Sequence, residues 1–340
     1  MPTKNIKALV LLSGGLDSML AVKVLQVQGI EVVGLCYKSN FYNCDRAREA
    51  AALLQIELKE VDISNEMLDL VKHPPSGYGK NLNPCIDCHA FMIRRAGEIA
   101  RVEGFDFVAT GEVLGQRPFS QNKESLKRVA ILAGVGVLRP LSAKLLDETE
   151  VEKNGLVNRH RLLDISGRGR ERQIELAEKY EITEYPSPAG GCLLTDPGFS
   201  ERGIKLLDYW PDCDTNDIEI LKHGRVYWFS LPRKKKVLLL IGRHQADNLQ
   251  LEKLAQAGDI MVELKGTMGP TALIRTKKSD LKIEKEIQEF LIPLELKMGE
   301  LKLSQEMTPE EVLKDIAILV GHYAVKARGK KIKIEFSRIK

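Results

Sequence analysis

The feature that most constrains this chain is a short apolar run that gives way to a small polar turn and then to a helix. Residues 8–12 are all apolar, as expected for a parallel strand that is buried on both faces. Residues 13–18 read Ser-Gly-Gly-Leu-Asp-Ser, and apolar side chains then recur at helical spacing as far as Leu25. Gly29 is expected to end this helix. The segment is therefore predicted to be a strand, a tight turn and a helix N-terminus.

This turn has the composition of a phosphate-binding site. Gly14 and Gly15 allow the backbone to approach a ligand closely, while Ser13 adds a hydroxyl donor. Ser18 adds a second hydroxyl, and the unpaired amides and positive dipole end of the helix face the same spot. The spacing is neither that of a Walker loop nor that of the G-x-G-x-x-G fingerprint. The turn resembles the Ser-Gly-Gly-x-Asp-Ser loop of the PP-loop ATP pyrophosphatases, which implies ATP as a cofactor and a role for Asp17 in placing Mg²⁺.

Strands and helices alternate along the following residues. Strands are predicted at residues 31–37, 57–63, 106–110 and 161–165. This order predicts an α/β fold with a doubly wound parallel sheet, whose ligands sit at the carboxyl ends of the strands. The PP-loop resemblance implies the adenine nucleotide alpha hydrolase-like form of that fold, with Thr110 and Gly111 near the AMP portion of ATP.

Composition limits the class of protein. The 340 residues, 44% of them hydrophobic, are enough for two domains or more. The sequence contains no run of about 18 apolar residues and no apolar signal-peptide region. We therefore expect a cytoplasmic protein that does not bind a membrane. Six cysteines are then not expected to form a disulfide framework, and clustered ones indicate metal or redox chemistry. Cys36, alone in an apolar strand, is interpreted as a small buried hydrophobe.

Two loops present the remaining cysteines of interest. Residues 73–84 contain three prolines and two glycines and lead into Cys85-Ile86-Asp87-Cys88. Because Pro84 suits the first turn of a helix, Cys85 and Cys88 are expected on one side of a helix start, where the dipole favours thiolate. A second loop, residues 185–197, is rich in proline and glycine and presents Cys192.

The three thiols leave several forms of the site open. Three thiolates suit a [4Fe-4S] cluster with one iron that no protein ligand covers. A Zn²⁺ site would need a fourth donor, for which His89 or His73 is available. A persulfide with no metal is the third form. Cysteine at both ends of residues 85–88 favours the cluster.

Three stretches resemble RNA sulfurtransferases of the PP-loop superfamily. Residues 111–121 resemble the Gly-Glu-x-Leu-Gly-Gln…Ser-Gln stretch of 4-thiouridine synthetases. Residues 83–88 resemble the corresponding loop of bacterial tRNA 2-thiouridylases, whose persulfide cysteine follows a small-residue loop like the one before Cys192. The resemblance implies that Cys85, Cys88, Cys192 and Asp17 carry the chemistry.

The implied activity is ATP-dependent thiolation of a uridine, with tRNA the favoured RNA. A uracil carbonyl oxygen would be adenylated and then replaced by sulfur from a donor such as a cysteine desulfurase or free sulfide. Two other classes remain open: a PP-loop ligase that forms amides, which needs no cysteines, and a non-catalytic RNA-binding factor, which needs no Asp17. The sequence decides neither the position thiolated nor the oligomeric state.

The chain is predicted to have three parts: a PP-loop domain at residues 1–165, a linker at 166–211 that carries the Cys192 loop, and a smaller α+β domain at 212–340. The last resembles the RNA-binding domain of the NFACT proteins, in a pattern that runs from Ile241-Gly242-Arg243 to Gly269-Pro270.

Basic residues suggest where RNA phosphates are held. Residues 321–340 contain seven Lys and Arg against one Glu, a local charge of +6 in a chain whose net charge is +4. A sequence-independent grip on phosphates is the expected use of such clusters. The RNA-binding candidates are Arg168, Arg170, Lys234, Lys235, Lys236, Arg243, Lys330 and Lys331, and Arg233, Lys265 and Arg275 are expected on the same phosphate-facing side of the smaller domain.

Overall fold

The computed structural model describes residues 5–186, 192–277, 281, 283–297, 301, 303 and 305–340. The chain divides into two compact units, Met1–Ser200 and Glu201–Lys340. The division falls inside the predicted linker at 166–211, and the three-part organisation stays a prediction.

The first unit alternates strands and helices. In chain order these are β1 (Lys7–Leu11), α1 (Leu16–Gln26), β2 (Glu31–Lys38), α2 (Asp45–Leu54), β3 (Leu58–Asp62), α3 (Ser64–Lys72), α4 (Cys85–Glu103), β4 (Phe107–Thr110), α5 (Lys123–Ala133), β5 (Val137–Leu138), α6 (Glu150–Lys153) and α7 (Glu171–Lys179). The five strands form one parallel sheet in the order β3-β2-β1-β4-β5. The predicted doubly wound α/β fold is therefore confirmed.

Strand β1 lies at the centre of this sheet. Ala8, Leu9 and Val10 are fully buried, because β2 pairs on one side and β4 on the other. Leu11 stands in register with Leu35 and with Thr110. The turn after β1 thus leaves the sheet where the chain crosses over in opposite directions to its two neighbours, the usual place for a ligand.

The strand predicted at 161–165 is wrong. Residues Arg159–Arg161 form a short 3₁₀ helix, and the residues after it run beside the segment at 140–144. Leu163 N donates to the Pro140 carbonyl at 2.9 Å and Ile165 N to the Leu141 carbonyl at 2.8 Å. The apolar side chains that suggested a strand, Leu162 and Ile165, are buried in the core of the unit without joining its sheet.

The second unit is built on an antiparallel sheet. Its elements are α9 (Thr215–Ile220), β6 (Arg225–Leu231), β7 (Lys235–Ile241), α10 (Gln245–Leu254), β8 (Ile260–Lys265), β9 (Ala272–Thr276), β10 (Lys285–Leu291), α11 (Pro309–Tyr323) and β11 (Lys331–Arg338), while α8 (Pro197–Tyr209) contains the division between the units. The strand order is β10-β11-β8-β9-β7-β6. The expected smaller α+β domain is confirmed as an antiparallel sheet with helices, and its NFACT identity stays a prediction.

Helix α11 supplies much of the core of this sheet. Its start is fixed by a capping box between Thr308 and Glu311, and Pro309 occupies the first turn. Val312, Ile316 and Val320 are fully buried in the same apolar cluster as Phe229. Strand β10 was not predicted, because three of its seven residues are charged and five are exposed at the sheet edge. Within the described part of the chain, no helix is long and apolar enough to cross a membrane.

Candidate functional site

The turn between β1 and α1 has a backbone that requires glycine. Gly14 has φ +76°, and a Cβ at this position would overlap the backbone of Arg46. Gly15 is the N-cap of α1. Because glycine has no side chain to accept a hydrogen bond from them, the amides of the first turn stay uncapped. The side chain of Ser18 turns back and donates to the Gly15 carbonyl at 2.7 Å, and Ser13 stays exposed. These features leave amide donors directed at a ligand of negative charge.

Asp17 is held by two glutamines from distant parts of the chain. Gln116 Nε2 donates to Asp17 Oδ2 at 2.9 Å, and Gln173 Nε2 approaches Asp17 Oδ1 at 3.4 Å. Gln173 is fully buried, and its own Oε1 has no hydrogen-bond partner among the described residues. The carboxylate is therefore oriented at the start of α1 and keeps lone pairs for a cation. Neither glutamine was identified from the sequence as a partner of Asp17.

The carboxyl end of β4 packs directly against this turn. A Cβ on Gly111 would lie 2.6 Å from the Ser18 backbone nitrogen, so only glycine fits at this position. Thr110 is buried, and its hydroxyl donates to Glu112 at 3.2 Å. The structure thus brings Thr110 and Gly111 beside the turn, while their contact with AMP stays a prediction.

A buried ionic cluster follows β4. Glu112 accepts from Arg139 Nε at 2.9 Å, and its other oxygen lies 2.7 Å from His89 Nδ1. Burial by itself would raise the pKa of Glu112, but the charge of Arg139 and the His89 hydrogen bond outweigh it and lower the pKa to about 2. The cluster ties the helix that carries Cys88 to the end of β4. The sequence analysis missed it, although Glu112 and Arg139 each follow a predicted apolar stretch.

Cys85 and Cys88 begin α4, as predicted. Asn83 Nδ2 donates to Cys85 Sγ at 3.0 Å, and Cys88 Sγ lies 3.8 Å from Met67 Sδ. The expectation that both thiols favour thiolate is wrong for Cys88. Burial raises the pKa of Cys88 far above its ordinary value, and negative charge at Cys192 or Cys85 raises it further.

Cys192 approaches these thiols from far along the sequence. Leu193 N donates to the Phe41 carbonyl at 3.0 Å, and Asn81 Nδ2 donates to the Thr195 carbonyl at 2.7 Å. Burial raises the pKa of the Cys192 thiol to about 11, with a smaller contribution from Cys85 that Arg117 partly opposes. The structure therefore brings Cys192 near Cys85 and Cys88. The small-residue loop before it, residues 187–191, lies outside the described residues.

Tyr42 stands among the sulfur atoms. Its hydroxyl lies 3.9 Å from Met92 Sδ, and its pKa is raised first by burial and then by the neighbouring Cys88 and Cys192. This contact was not predicted, since Tyr42 lies outside the cysteine motifs. Across the described residues there is no group of three or more His, Cys, Asp or Glu side chains arranged to hold a metal ion. The donor set suits a cluster, but the side chains as placed do not form a ready metal site.

Cys36 is not the isolated buried hydrophobe that the sequence suggested. It forms a disulfide with Cys44, with a Cα–Cα distance of 6.0 Å. The bridge closes the connection from β2 to α2, whose middle carries Phe41 and Tyr42. A pairing eight residues apart has no marker in the sequence, because the two cysteines meet only once the connection folds back on itself.

The predicted RNA-binding residues lie at several exposed places. Arg168 is exposed, and Arg170 is the half-buried cap of α7. The hairpin between β6 and β7 presents Lys234 and Lys235, and Lys236 Nζ lies 4.4 Å from the centre of the Tyr209 ring. Lys330 and Lys331 are exposed at the start of β11, whereas Arg243 is engaged by Asp247 at 2.6 Å.

Arg275 does not face phosphate, and that expectation is wrong. The residue is 3% exposed. Its guanidinium donates to Asp259 at 2.7 Å and to Asp217 at 3.1 Å. Two buried carboxylates therefore neutralise it inside the second unit. Lys265 is exposed, but it pairs with Glu263 at 3.1 Å and with Glu335 at 3.3 Å.

Comparison with known proteins gives a family-model match that lies within the first unit. The family model "Thiamine biosynthesis protein (ThiI)" matches residues 4–154. A "Probable tRNA sulfurtransferase" of Thermoanaerobacter sp. (strain X514) is 31% identical over 156 residues, which cover 43% of this chain and 39% of the relative. The "tRNA-specific 2-thiouridylase MnmA 3" of Bacteroides fragilis (strain ATCC 25285) is 34% identical over 138 residues, which cover 39% of this chain and 36% of the relative.

Among solved structures, one described as "Crystal structure of a 4-thiouridine synthetase - RNA complex with bound ATP" aligns with 64% of this chain and 52% of its own. Its sequence identity is 21% and its TM-score 0.39. The chain spans about two fifths of the length of the curated relatives it matches. The match to the family model ends at residue 154, before the second unit begins.

Proposed function

Because residues 4–154 match PP-loop proteins of the tRNA-thiolating branch, we propose that this chain is an ATP-dependent RNA sulfurtransferase with tRNA as its substrate. The observation that carries the proposal is the position of the Cys192 segment, which is hydrogen-bonded through the Thr195 carbonyl to Asn81 of the loop before Cys85 and Cys88, in the same unit as the glycine turn. A PP-loop protein that only binds nucleotide has no need to bring a third, distant thiol to Cys85 and Cys88.

The turn between β1 and α1 would hold the pyrophosphate portion of ATP. Its amide donors and the hydroxyls of Ser13 and Ser18 match the charge of that group. Asp17, fixed by Gln116, supplies a carboxylate for Mg²⁺. A uracil carbonyl oxygen would attack the α-phosphorus, the bond to pyrophosphate would break, and the ring N–H proton would leave. The carbonyl oxygen then departs with AMP, which is a far better leaving group.

Sulfur would be delivered at the three-cysteine site. In the persulfide form, a cysteine desulfurase would transfer the outer sulfur to Cys192, or sulfide would attack a disulfide of Cys192 and release the partner thiol. The outer sulfur then attacks the activated ring carbon and AMP leaves. A neighbouring thiol, that of Cys85 or Cys88, then takes the sulfur–sulfur bond and forms a disulfide, which a thiol reductant must reopen before the next turnover. In the other form, Cys85, Cys88 and Cys192 would hold a [4Fe-4S] cluster, which would supply iron to which sulfide can bind.

The second unit would hold the RNA. Lys234, Lys235, Lys330 and Lys331 are exposed, and side chains of this kind neutralise phosphates without reading sequence. Arg168 would add a phosphate contact from the first unit, where it is exposed. Binding is then expected to weaken steeply with salt. A cysteine desulfurase or free sulfide would be the donor, and the cytoplasm the place of action.

The test compares two variants with the parent chain, supplied with ATP, Mg²⁺, sulfide and unmodified tRNA. Asp17→Asn is expected to lower pyrophosphate release and thionucleoside formation together, by about a hundredfold or more. Cys192→Ser is expected to keep pyrophosphate release and to lose thionucleoside, measured by mass spectrometry. Cys213→Ser, a cysteine of the second unit, is the matched control and should behave as the parent chain.

Two results would contradict the proposal. Full thiolation by Cys192→Ser would remove the thiols from the chemistry and favour an amide-forming ligase. Failure of the parent chain to release pyrophosphate with any RNA would favour a non-catalytic RNA-binding factor. Anaerobic purification separates the forms of the sulfur site, because a cluster absorbs at roughly 400 nm whereas zinc and bare thiols do not.

A further inference from the structure

We propose that the loop at residues 113–121 is the binding site of the target uracil, and that the unstacked base stacks on the exposed ring of Phe119. This inference rests on the proposed function and adds to it the place where the substrate base binds. The loop is defined by four features: a fixed backbone, an exposed aromatic ring, a bond to Asp17 and a guanidinium near Cys192.

The backbone of the loop is held at both of its ends. Gly115 N donates to the Gln121 carbonyl at 2.7 Å, and Gln121 N donates to the Arg117 carbonyl at 2.8 Å. The Pro118 carbonyl accepts from Asn122 at 2.7 Å, and the Phe119 carbonyl accepts from Ser125 at 3.0 Å. A loop closed in this way presents its side chains in a fixed direction and loses little entropy when a ligand binds.

Phe119 is the aromatic side chain that this loop leaves exposed to solvent. Its exposed fraction is 76%, and it belongs to neither apolar core. All nine phenylalanines lie in the described part of the chain, and Phe119 is the only exposed one. An aromatic ring that contributes nothing to packing and stands on a fixed backbone is suited to stacking against a partner with a flat face.

The position of the loop decides which partner that is. Gln116 bonds Asp17 of the phosphate-binding turn at 2.9 Å. Arg117, which is exposed, lies near enough to the Cys192 thiol to act on it electrostatically. Phe119 follows Gln116 by three residues, so their Cα atoms are at most about 11 Å apart. A base on this ring is therefore close to both groups that its reaction needs.

The chemistry of the reaction also calls for such a surface. A base inside a stack cannot offer its carbonyl to ATP and then its ring carbon to sulfur, so it has to leave the stack. Proteins that hold unstacked bases place them on aromatic rings, and Arg117 can pair with the adjoining phosphate. Gln121, buried and with Oε1 unpartnered among the described residues, supplies an acceptor at the base of the same loop.

The experiment compares Phe119→Ala, Phe119→Leu and Phe119→Tyr in steady-state thiolation of tRNA with free sulfide as donor. For Phe119→Ala and Phe119→Leu we expect kcat/KM for tRNA to fall about tenfold or more, the range seen when a stacking ring is removed. Phe119→Tyr should keep kcat/KM within about twofold of the parent chain, because stacking needs only a flat aromatic face. The ATP KM should not change.

Val102→Ala is the matched control, since Val102 is 81% exposed at the end of α4 and lies outside the loop. Thermal unfolding should be the same for all four variants, because an exposed side chain carries little stability. Equal kcat/KM for Phe119→Ala and the parent chain would overturn the inference while the proposed function stands. A defect that vanishes with free sulfide and persists only with a protein donor would also overturn it, since the ring would then dock the donor.

If the parent chain thiolates no RNA, both the proposed function and the uracil-binding site at residues 113–121 are refuted. A kcat/KM for Phe119→Leu equal to that of the parent chain would contradict stacking, because an aliphatic side chain offers area but no flat face. Activity of the parent chain therefore distinguishes the two outcomes: without it the proposed function fails, and with it only the inference about Phe119 is being tested.

Discussion

The glycine turn after β1 and the cysteine site lie in the same unit but are formed in opposite ways. The turn is one contiguous segment, and its essential property belongs to the backbone: Gly14 takes a left-handed φ and packs against Arg46. The cysteine site is assembled from Tyr42, the start of α4 and Cys192, and its essential property is burial of side chains. The comparison teaches that a backbone-made site is readable from a motif, whereas a burial-made site depends on distant packing.

The largest effect is expected from breaking the turn. Gly14→Ala places a Cβ into the Arg46 backbone at φ +76°, so the turn must move and its amides lose their direction. We expect pyrophosphate release to fall by about a hundredfold or more, as when an oriented amide donor is removed. Steady-state pyrophosphate release with tRNA is the measurement.

Gly29→Ala is the control for that change. Gly29 also has a left-handed φ of +79°, but a Cβ there would meet nothing within 4 Å. It should cost only about 1 kcal/mol of stability and leave activity unchanged. Equal activity of Gly14→Ala and the parent chain would show that the turn does not bind by its backbone.

The next effect tests whether the cysteine site depends on packing that lies outside it. Glu112→Gln leaves Arg139 buried without a counter-charge, which is expected to cost about 3–5 kcal/mol of stability. Because His89 adjoins Cys88 on α4, thiolation should fall by more than pyrophosphate release does. The free energy of unfolding and the two product yields are the measurements.

The same residue gives a pH dependence of known sign. The pKa of Glu112 is lowered to about 2 in the folded chain, so its contribution is present in full above its ordinary pKa and is lost as pH falls towards 2. The acid limb of the stability curve should therefore be shallower for Glu112→Gln. Glu49→Gln, at an exposed position of α2, is the control and should leave the acid limb as it is in the parent chain. If the acid limb of Glu112→Gln is identical to that of the parent chain, the pKa of Glu112 is not lowered in the folded chain.

The smallest effect sharpens the contact through which the base loop reaches the turn. Gln116→Leu removes the hydrogen bond to Asp17, which is worth about 1 kcal/mol or roughly fivefold in an equilibrium. We expect the Mg²⁺ concentration for half-maximal pyrophosphate release to rise by that factor. Gln26→Leu, whose amide reaches only the Leu54 carbonyl, should leave the Mg²⁺ response unchanged. No shift for Gln116→Leu would mean that Asp17 needs no such support.

Much of the fold was predictable from the sequence for a simple reason. The strands at β1, β2 and β4 are short apolar runs, and the alternation with helices admits few arrangements other than a parallel sheet. The resemblance to the thiolating PP-loop proteins is confirmed over residues 4–154. The strand expected at 161–165 fails because burial of Leu162 and Ile165 is satisfied by core packing without sheet pairing. Apolar content reports burial, but not the hydrogen-bond partner of the backbone.

The candidate site divides in the same way. Ser13, Gly14, Gly15, Asp17 and Ser18 were identified because neighbours in sequence are neighbours in space within a turn. The partners of Asp17 and of Glu112 were not, because Gln116, Gln173 and Arg139 come from elements far along the chain. The Cys36–Cys44 bridge was missed because the two cysteines meet only once the connection between β2 and α2 folds back on itself. The burial of Arg275 was missed because its partners, Asp217 and Asp259, come from other elements of the second unit.

The sequence by itself determined the local conformations: the glycine turn, the helix start at Cys85 and the runs of apolar strands. These follow from the dihedral preferences and periodicity of adjacent residues. Only the tertiary structure decided which thiols meet, which carboxylates are paired and which aromatic ring is left in water. Those outcomes depend on contacts between residues of different elements, from Glu112 with Arg139 to Asn81 with Thr195, and no local rule encodes them.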